Sequence, residues 1–150
     1  MIFVTVGSDK FELLVKKIDE IAPKLKENVV VQIGRGNYIP KNCKWFRFSS
    51  EMKRYYKMGD LIISHGGSGT LFECLKLGKR VIAVPNFGSS GQHQLDLVEE
   101  LARENYITMC GNLEELESYI KNNRKYKVYK QPKCTIAEDI KKFLDSSIRA

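Results

Sequence analysis

His65-Gly66-Gly67-Ser68-Gly69-Thr70 is the stretch of this chain best equipped for chemistry. It follows a short apolar run, Leu61-Ile62-Ile63-Ser64, and precedes a helical pattern. That order predicts a strand, a glycine turn and a helix N-terminus. The first N–H groups of a helix lack intrahelical acceptors and sit at its positive dipole end, so such a turn is ready to hold phosphate. Gly66, Gly67 and Gly69 let a ligand approach the backbone without meeting a Cβ. Ser68 and Thr70 add hydroxyl donors, and His65 stands at the carboxyl end of the strand. A plain strand-to-helix connection has no need of three glycines and a histidine. Glu73 follows about one turn into the helix. A carboxylate there can accept two hydrogen bonds from a ribose diol while the helix start holds a diphosphate. On the residues alone, a solvent-facing helix glutamate is the alternative.

Other phosphate-binding signatures are missing. A dinucleotide site asks for G-x-G-x-x-G after the first strand, where this chain has Gly7-Ser8-Asp9-Lys10, and no G-x-x-x-x-G-K-[ST] loop occurs. No D-x-D pair offers to hold a metal–diphosphate complex. The four cysteines (Cys43, Cys74, Cys110, Cys134) are scattered without a C-x-x-C pair, which argues against a zinc site or a disulfide framework.

The elements that must position the turn can be read along the chain. Ile2 to Val6 predicts a buried strand, followed by Gly7-Ser8 and a helix with Phe11, Leu14, Val15, Ile18, Ile21, Ala22 and Leu25 on one face, capped by Ser8 or Asp9. Val29 to Ile33 is a second strand, ending in Gly34-Arg35-Gly36, and Lys44 to Phe48 is a weaker third. A short helix opens at Ser50 and carries Met52, Tyr55 and Tyr56. Leu61 to Ser64 is the fourth strand, and the helix after it stops at Gly78, a suitable C′ residue. Arg80 to Val84 is the fifth strand, and the segment Phe87 to Gln94 reads as a mobile loop. A helix with Leu95, Val98, Leu101 and Ala102, a short strand from Tyr106 to Met109, a helix from Leu113 to Asn122 and a last amphipathic helix from about Thr135 to Ser147 complete the series.

Alternating strands and helices predict a doubly wound α/β domain around a mostly parallel, Rossmann-like sheet. Residues 1–150 read as a single domain, with a core over 1–112 and C-terminal helices and a basic segment over 113–150. In such folds ligands bind beyond the carboxyl ends of the strands, near the switch point. The loops carrying Gly7-Ser8, Gly34-Arg35-Gly36, Ser64–Thr70 and Pro85–Gln94 all follow strands, so the fold should bring them to one edge. The chain's two histidines, His65 and His93, lie in two of these loops.

Composition sets outer bounds. At 43% apolar residues the 150-residue chain can build a core, and no apolar run approaches the ~20 residues needed to cross a bilayer. Met1 to Val6 lacks the basic start of a signal peptide, so a cytoplasmic protein, soluble or peripheral to a membrane, is expected. The net charge of +7 is uneven: Lys121 to Lys133 holds six basic and no acidic residues, interleaved with Tyr126 and Tyr129. A solvated loop, a membrane or protein docking patch, and a nucleic-acid patch compete for this segment, with nucleic acid ranked last.

The ordered set His65-Gly66-Gly67-Ser68-Gly69-Thr70-Leu71-Phe72-Glu73, Val84-Pro85-Asn86 and His93-Gln94 resembles the C-terminal, donor-binding half of GT-B glycosyltransferases of family 28. Phe3-Val4-Thr5-Val6-Gly7-Ser8 and Val31-Gln32-Ile33-Gly34-Arg35-Gly36 are similar, more narrowly, to the small catalytic subunits of two-part enzymes. These build dolichol-linked oligosaccharides, as N-acetylglucosaminyltransferases, or bacterial exopolysaccharides. The resemblance runs from Ile2 to about Leu101. It implies a UDP-sugar donor, with His65 and Gly66–Thr70 at the diphosphate, Glu73 at the ribose, Gln94 at the sugar hydroxyls with His93 beside it, Gly7 and Ser8 facing the phosphates, and Met52 near the uracil. Gln92 stands where relatives commonly have Asp or Asn, and Gly88-Ser89-Ser90-Gly91 is unusual, so the sugar itself is open.

The resemblance also implies an inverting hexosyltransferase. UDP leaves as an anion, stabilised by helix N–H groups, Ser68, Thr70 and His65 or Arg35, with no metal or other cofactor. No convincing general base is found: Glu73 is engaged by ribose, and His93 is only a candidate beside His65. The chain is too short to hold a second, acceptor-binding domain. A membrane-anchored partner subunit is therefore expected to supply it, together with a lipid-linked acceptor, at the cytoplasmic face of a membrane. A non-catalytic nucleotide-sugar-binding module of the same fold is the alternative.

Overall fold

Runs such as Ile2-Phe3-Val4-Thr5 and Leu61-Ile62-Ile63-Ser64 are apolar on both faces, which suits strands covered from both sides. The computed structural model describes residues 1–88, 91–132 and 135. Among these, six strands form one sheet: β1 (Ile2–Thr5), β2 (Val29–Gln32), β3 (Lys44–Phe46), β4 (Leu61–Ser64), β5 (Arg80–Ala83) and β6 (Thr108–Met109). Their order is β3-β2-β1-β4-β5-β6, and every neighbouring pair is parallel. The chain works outward from β1 through β2 to β3, then returns to the other side of β1 with β4. The loops after β1 and β4 therefore flank the switch point.

Alternation along β1 feeds two cores. Ile2 and Val4 face Leu14 and Ile18 of α1 (Glu12–Ile21) and Leu116 and Ile120 of α5 (Leu116–Lys121). Phe3 faces Tyr56 of α2 (Met52–Met58), Leu71 of α3 (Ser68–Lys76) and Val98 of α4 (Gln92–Arg103). The Phe3 ring stacks on Tyr55 with centroids 5.2 Å apart. Side chains buried this fully contribute roughly 1.5–3 kcal/mol each. Helix α3 ends where expected: Gly78 has φ +65°, its N–H reaches Leu75 O at 3.0 Å, and Lys79 N reaches Cys74 O at 3.0 Å, closing a Schellman motif.

Several local expectations change. Neither Ser8 nor Asp9 caps α1; Phe11 occupies the N-cap position without a side-chain bond. The Asp9 carboxylate instead accepts from Lys10 N, and Phe11 is drawn into the core. His93 and Gln94 are not loop residues but lie in the first turn of α4, with Gly91 as N-cap. The predicted helix from Leu113 opens as a 3-10 turn, with the Asn112 side chain accepting from Glu114 N. Tyr126 and Tyr129 of the basic segment turn inward: Tyr126 Oη lies 2.6 Å from Thr108 Oγ1, and Tyr129 packs on Phe72 and Tyr106. The last amphipathic helix and Cys134 lie outside the described residues. No described helix is long and apolar enough to cross a membrane.

Candidate functional site

Because the strands run parallel, the loops after β1, β2, β4 and β5 share one edge. Two of their turns interlock. A Cβ on Gly34 (φ +55°) would lie 2.4 Å from Asp9 O, so only glycine lets the β2 loop close on the β1 loop. Arg35 N then bonds Asp9 O at 3.1 Å. The third turn rests on α4: Gly66 has φ +93°, and a Cβ there would lie 2.9 Å from Val98 Cγ2.

The His65 imidazole is wedged between the first and third turns. A Cβ on Gly7 would come within 2.8 Å of His65 Cε1, and one on Gly67 within 2.8 Å of His65 Nε2. Burial pushes the imidazole pKa below its ordinary 6.5, so the ring is neutral at pH 7. Its Nδ1 is buried and has no hydrogen-bond partner among the described residues. The Thr5 backbone beside the ring favours its protonated form and offsets part of the burial effect; Nε2 is the ring nitrogen that lies against Gly67.

Helix α3 starts beside this ring. Gly67 is its N-cap, and no side chain caps it. The first N–H bonded back into the helix belongs to Leu71, which reaches Gly67 O at 3.0 Å. The N–H groups of Ser68, Gly69 and Thr70 precede it and are left for another acceptor. Ser68 and Gly69 are exposed, and a Cβ on Gly69 would meet nothing within 4 Å.

Helix α2 runs alongside. Tyr56 Oη lies 3.3 Å from Thr70 Oγ1, and Lys53 Nζ lies 3.5 Å from Glu73 Oε1. Met52 opens α2 and packs, half-buried, against the aromatic cluster around Phe3. From the other side, Gln94 Nε2 donates to His65 O at 3.2 Å, leaving its amide oxygen for a ligand.

The structure thus brings Gly7, His65, Gly66, Gly67 and Gln94 into direct contact, with Ser68–Thr70, Glu73 and Met52 on adjoining helices. Ser8, Arg35 and His93 are exposed at the rim. Two residues that the sequence shows only as parts of longer motifs gain a role here. Thr5 and Gln32 are buried polar ends of β1 and β2, paired in register, and both bond to Gly7. Two polar residues closing two apolar strands at the same edge are the signal that would have found them. An apolar cavity of about 380 Å³ between Phe11, Leu13, Pro85, Phe87 and Leu113 is formed by the loops after β5 and β6 and the start of α1. A cavity of about 510 Å³ near Lys24, Arg80 and Lys121 lies at the opposite edge and belongs to another surface.

A doubly wound parallel sheet with a glycine turn, an uncapped helix start and a neutral histidine at its switch point defines a Rossmann-like α/β domain with a candidate anion site. More narrowly, the chain belongs to the glycosyltransferase family 28 C-terminal domain family, whose model matches residues 1–146. It is 32% identical over 121 residues to the UDP-N-acetylglucosamine transferase subunit ALG13 of Mus musculus, covering 72% of this chain and 10% of that protein. The Yarrowia lipolytica protein of the same name is 28% identical over 108 residues, 66% of this chain and 55% of that one. The chain thus spans about a tenth of the mouse relative and about half of the Yarrowia one. Among solved structures, Acinetobacter baumannii MurG matches with TM-score 0.64 and 22% identity over 81% of this chain and 41% of its own. The solution structure of ALG13 matches with TM-score 0.61 and 21% identity over 87% and 89%. These likenesses show the shared fold.

Proposed function

We propose that the chain is the donor-binding, catalytic subunit of an inverting glycosyltransferase using UDP-N-acetylglucosamine or a related UDP-hexose. The observation that carries this reading is the neutral His65 ring wedged between Gly7 and Gly67 at the uncapped start of α3. The relatives named as UDP-N-acetylglucosamine transferase subunits support the choice of donor.

In the reaction the bond between the anomeric carbon and the diphosphate oxygen breaks as an acceptor hydroxyl attacks the opposite face of the sugar. Negative charge gathers on the departing UDP. The N–H groups of Ser68, Gly69 and Thr70, the Ser68 and Thr70 hydroxyls and the His65 imidazole are fixed polar partners for that charge. They need no reorganisation as the bond breaks, and the leaving group is stabilised by the protein rather than by a metal or other cofactor. Glu73 accepts from the ribose hydroxyls, and the Gln94 amide oxygen accepts from a sugar hydroxyl. Met52 lies toward the base, and Arg35 and Ser8 border the phosphates.

The acceptor proton needs a base. Exposed His93, on the turn of α4 next to Gln94, is the candidate within this chain; a partner subunit is the other source. A membrane-anchored partner would hold a lipid-linked acceptor at the cytoplasmic face and complete the enzyme. The test is a transfer assay with UDP-N-acetylglucosamine and native membranes bearing lipid-linked acceptor, with the chain alone and with its partner. Donor binding with transfer only in the presence of the partner is expected. Efficient transfer by the chain alone contradicts the two-subunit reading. Donor binding without transfer under either condition marks a non-catalytic binding module.

A further inference from the structure

Thr5 and Gln32 are both buried in the core, where an unpaired hydroxyl or amide is costly. They satisfy one another and Gly7 in a closed ring. Gly7 N donates to Thr5 Oγ1 at 3.1 Å, Thr5 Oγ1 donates to Gln32 Oε1, and Gln32 Nε2 donates to Gly7 O at 3.0 Å. Both polar groups of the Gly7 main chain are therefore held by two side chains beneath the surface. The adjoining backbone is tied down as well, with Val6 N bonded to Gln32 O at 3.3 Å and His65 N bonded to Thr5 O at 3.2 Å.

What this ring holds is the near wall of the His65 wedge. Gly7 approaches the imidazole so closely that a Cβ would fall 2.8 Å from Cε1. The ring also lies beside the Thr5 backbone, which favours its protonated form, and the close approach of Gly7 and Gly67 limits how it can turn. The imidazole is useful to a diphosphate only if that wall does not move, since small misplacements of a hydrogen-bonding group weaken it steeply.

We propose that Thr5 and Gln32 are positioning residues for the diphosphate site, acting through Gly7 to fix the His65 imidazole; this rests on the donor-site reading above. Neither side chain reaches the ligand. Their removal changes affinity for the diphosphate end of the donor and leaves the nucleoside end alone. Thr5→Val is nearly isosteric and removes only the hydroxyl. Gln32→Glu keeps an acceptor for Thr5 but cannot donate to Gly7 O unless protonated. Thr5→Ser keeps the ring intact.

The experiment combines two readouts on the intact chain. Imidazole NMR reports the His65 Cε1–H signal, with the exposed His93 as an internal control, and calorimetry compares UDP with uridine. Thr5→Val and Gln32→Glu should each shift the His65 signal and not that of His93. They should weaken UDP on the order of tenfold and leave uridine unchanged, while Thr5→Ser matches the wild type. An unmoved His65 signal in both variants overturns the proposal, as does an equal loss of UDP and uridine affinity. Wild-type protein that binds no UDP overturns the donor-site reading instead, and the His65 signal still decides whether the ring controls the imidazole.

Discussion

Gln94 on α4 donates its side-chain N–H to the carbonyl oxygen of His65, 3.2 Å away. The bond joins the helix after β5 to the glycine turn after β4. It also fixes the amide: with Nε2 committed to the turn, the oxygen is the atom left to meet a hydroxyl.

Gln94→Ala should therefore act on the sugar end of the donor. Loss of a hydrogen-bonding partner predicts a fall in kcat/KM of roughly tenfold or more, with UDP affinity reduced much less. Steady-state kinetics paired with UDP calorimetry checks this, and an equal loss in both would place Gln94 at the diphosphate.

Gly69→Ala separates folding from binding. A Cβ there meets nothing within 4 Å in the free protein, and alanine suits a helix better than glycine by about 0.5–1 kcal/mol. The melting temperature should be unchanged or raised. UDP affinity should nevertheless fall, because at the proposed donor site the added methyl would stand where the phosphates approach the α3 N–H groups.

Protonation of His65 should weaken the fold. Burial holds its folded pKa below the ordinary 6.5, so the unfolded chain binds the proton more readily. Its contribution is fully present above about pH 6.5 and is lost as pH falls through the lowered folded value. Thermal melts of wild type and His65→Gln should diverge in slope across that window, the variant giving the flatter profile.

Arg80 makes a separate structural prediction. Its guanidinium Nη2 bonds Tyr119 O at 2.7 Å and Ile120 O at 2.9 Å, and also Asn122 O, closing the carboxyl end of α5 with a cation. Arg80→Met should cost about 2 kcal/mol, seen in denaturant melts, and expose residues 122–130 to protease. UDP affinity should hold, since Arg80 lies at the amino end of β5, away from the glycine turns.

Much of this architecture was legible in the residues. Buried β-branched runs and helical apolar spacing gave the strands and helices, and the turn after Ser64 declared itself by its glycines. The ends of elements were harder. The first turn of α4, Gln92-His93-Gln94, carries no apolar residue, so its periodicity begins only at Leu95. The Thr5–Gln32 ring was invisible because its partners lie 27 residues apart and meet only when β1 and β2 pair in register. The wedge around His65 depends in the same way on two loops meeting from separate strands. Tyr126 and Tyr129, which in the sequence only interleave with lysines, proved to be the inward anchors of the basic segment.

Calorimetric titration of UDP and of inorganic diphosphate into wild type and Glu73→Ala, without added divalent metal, tests the donor site most directly. The expected result is micromolar-to-millimolar binding of UDP by the wild type, weakened about tenfold by Glu73→Ala, with diphosphate affinity unchanged between the two. A wild-type protein that does not bind UDP, or a Glu73→Ala variant that binds it as well as the wild type, contradicts the account.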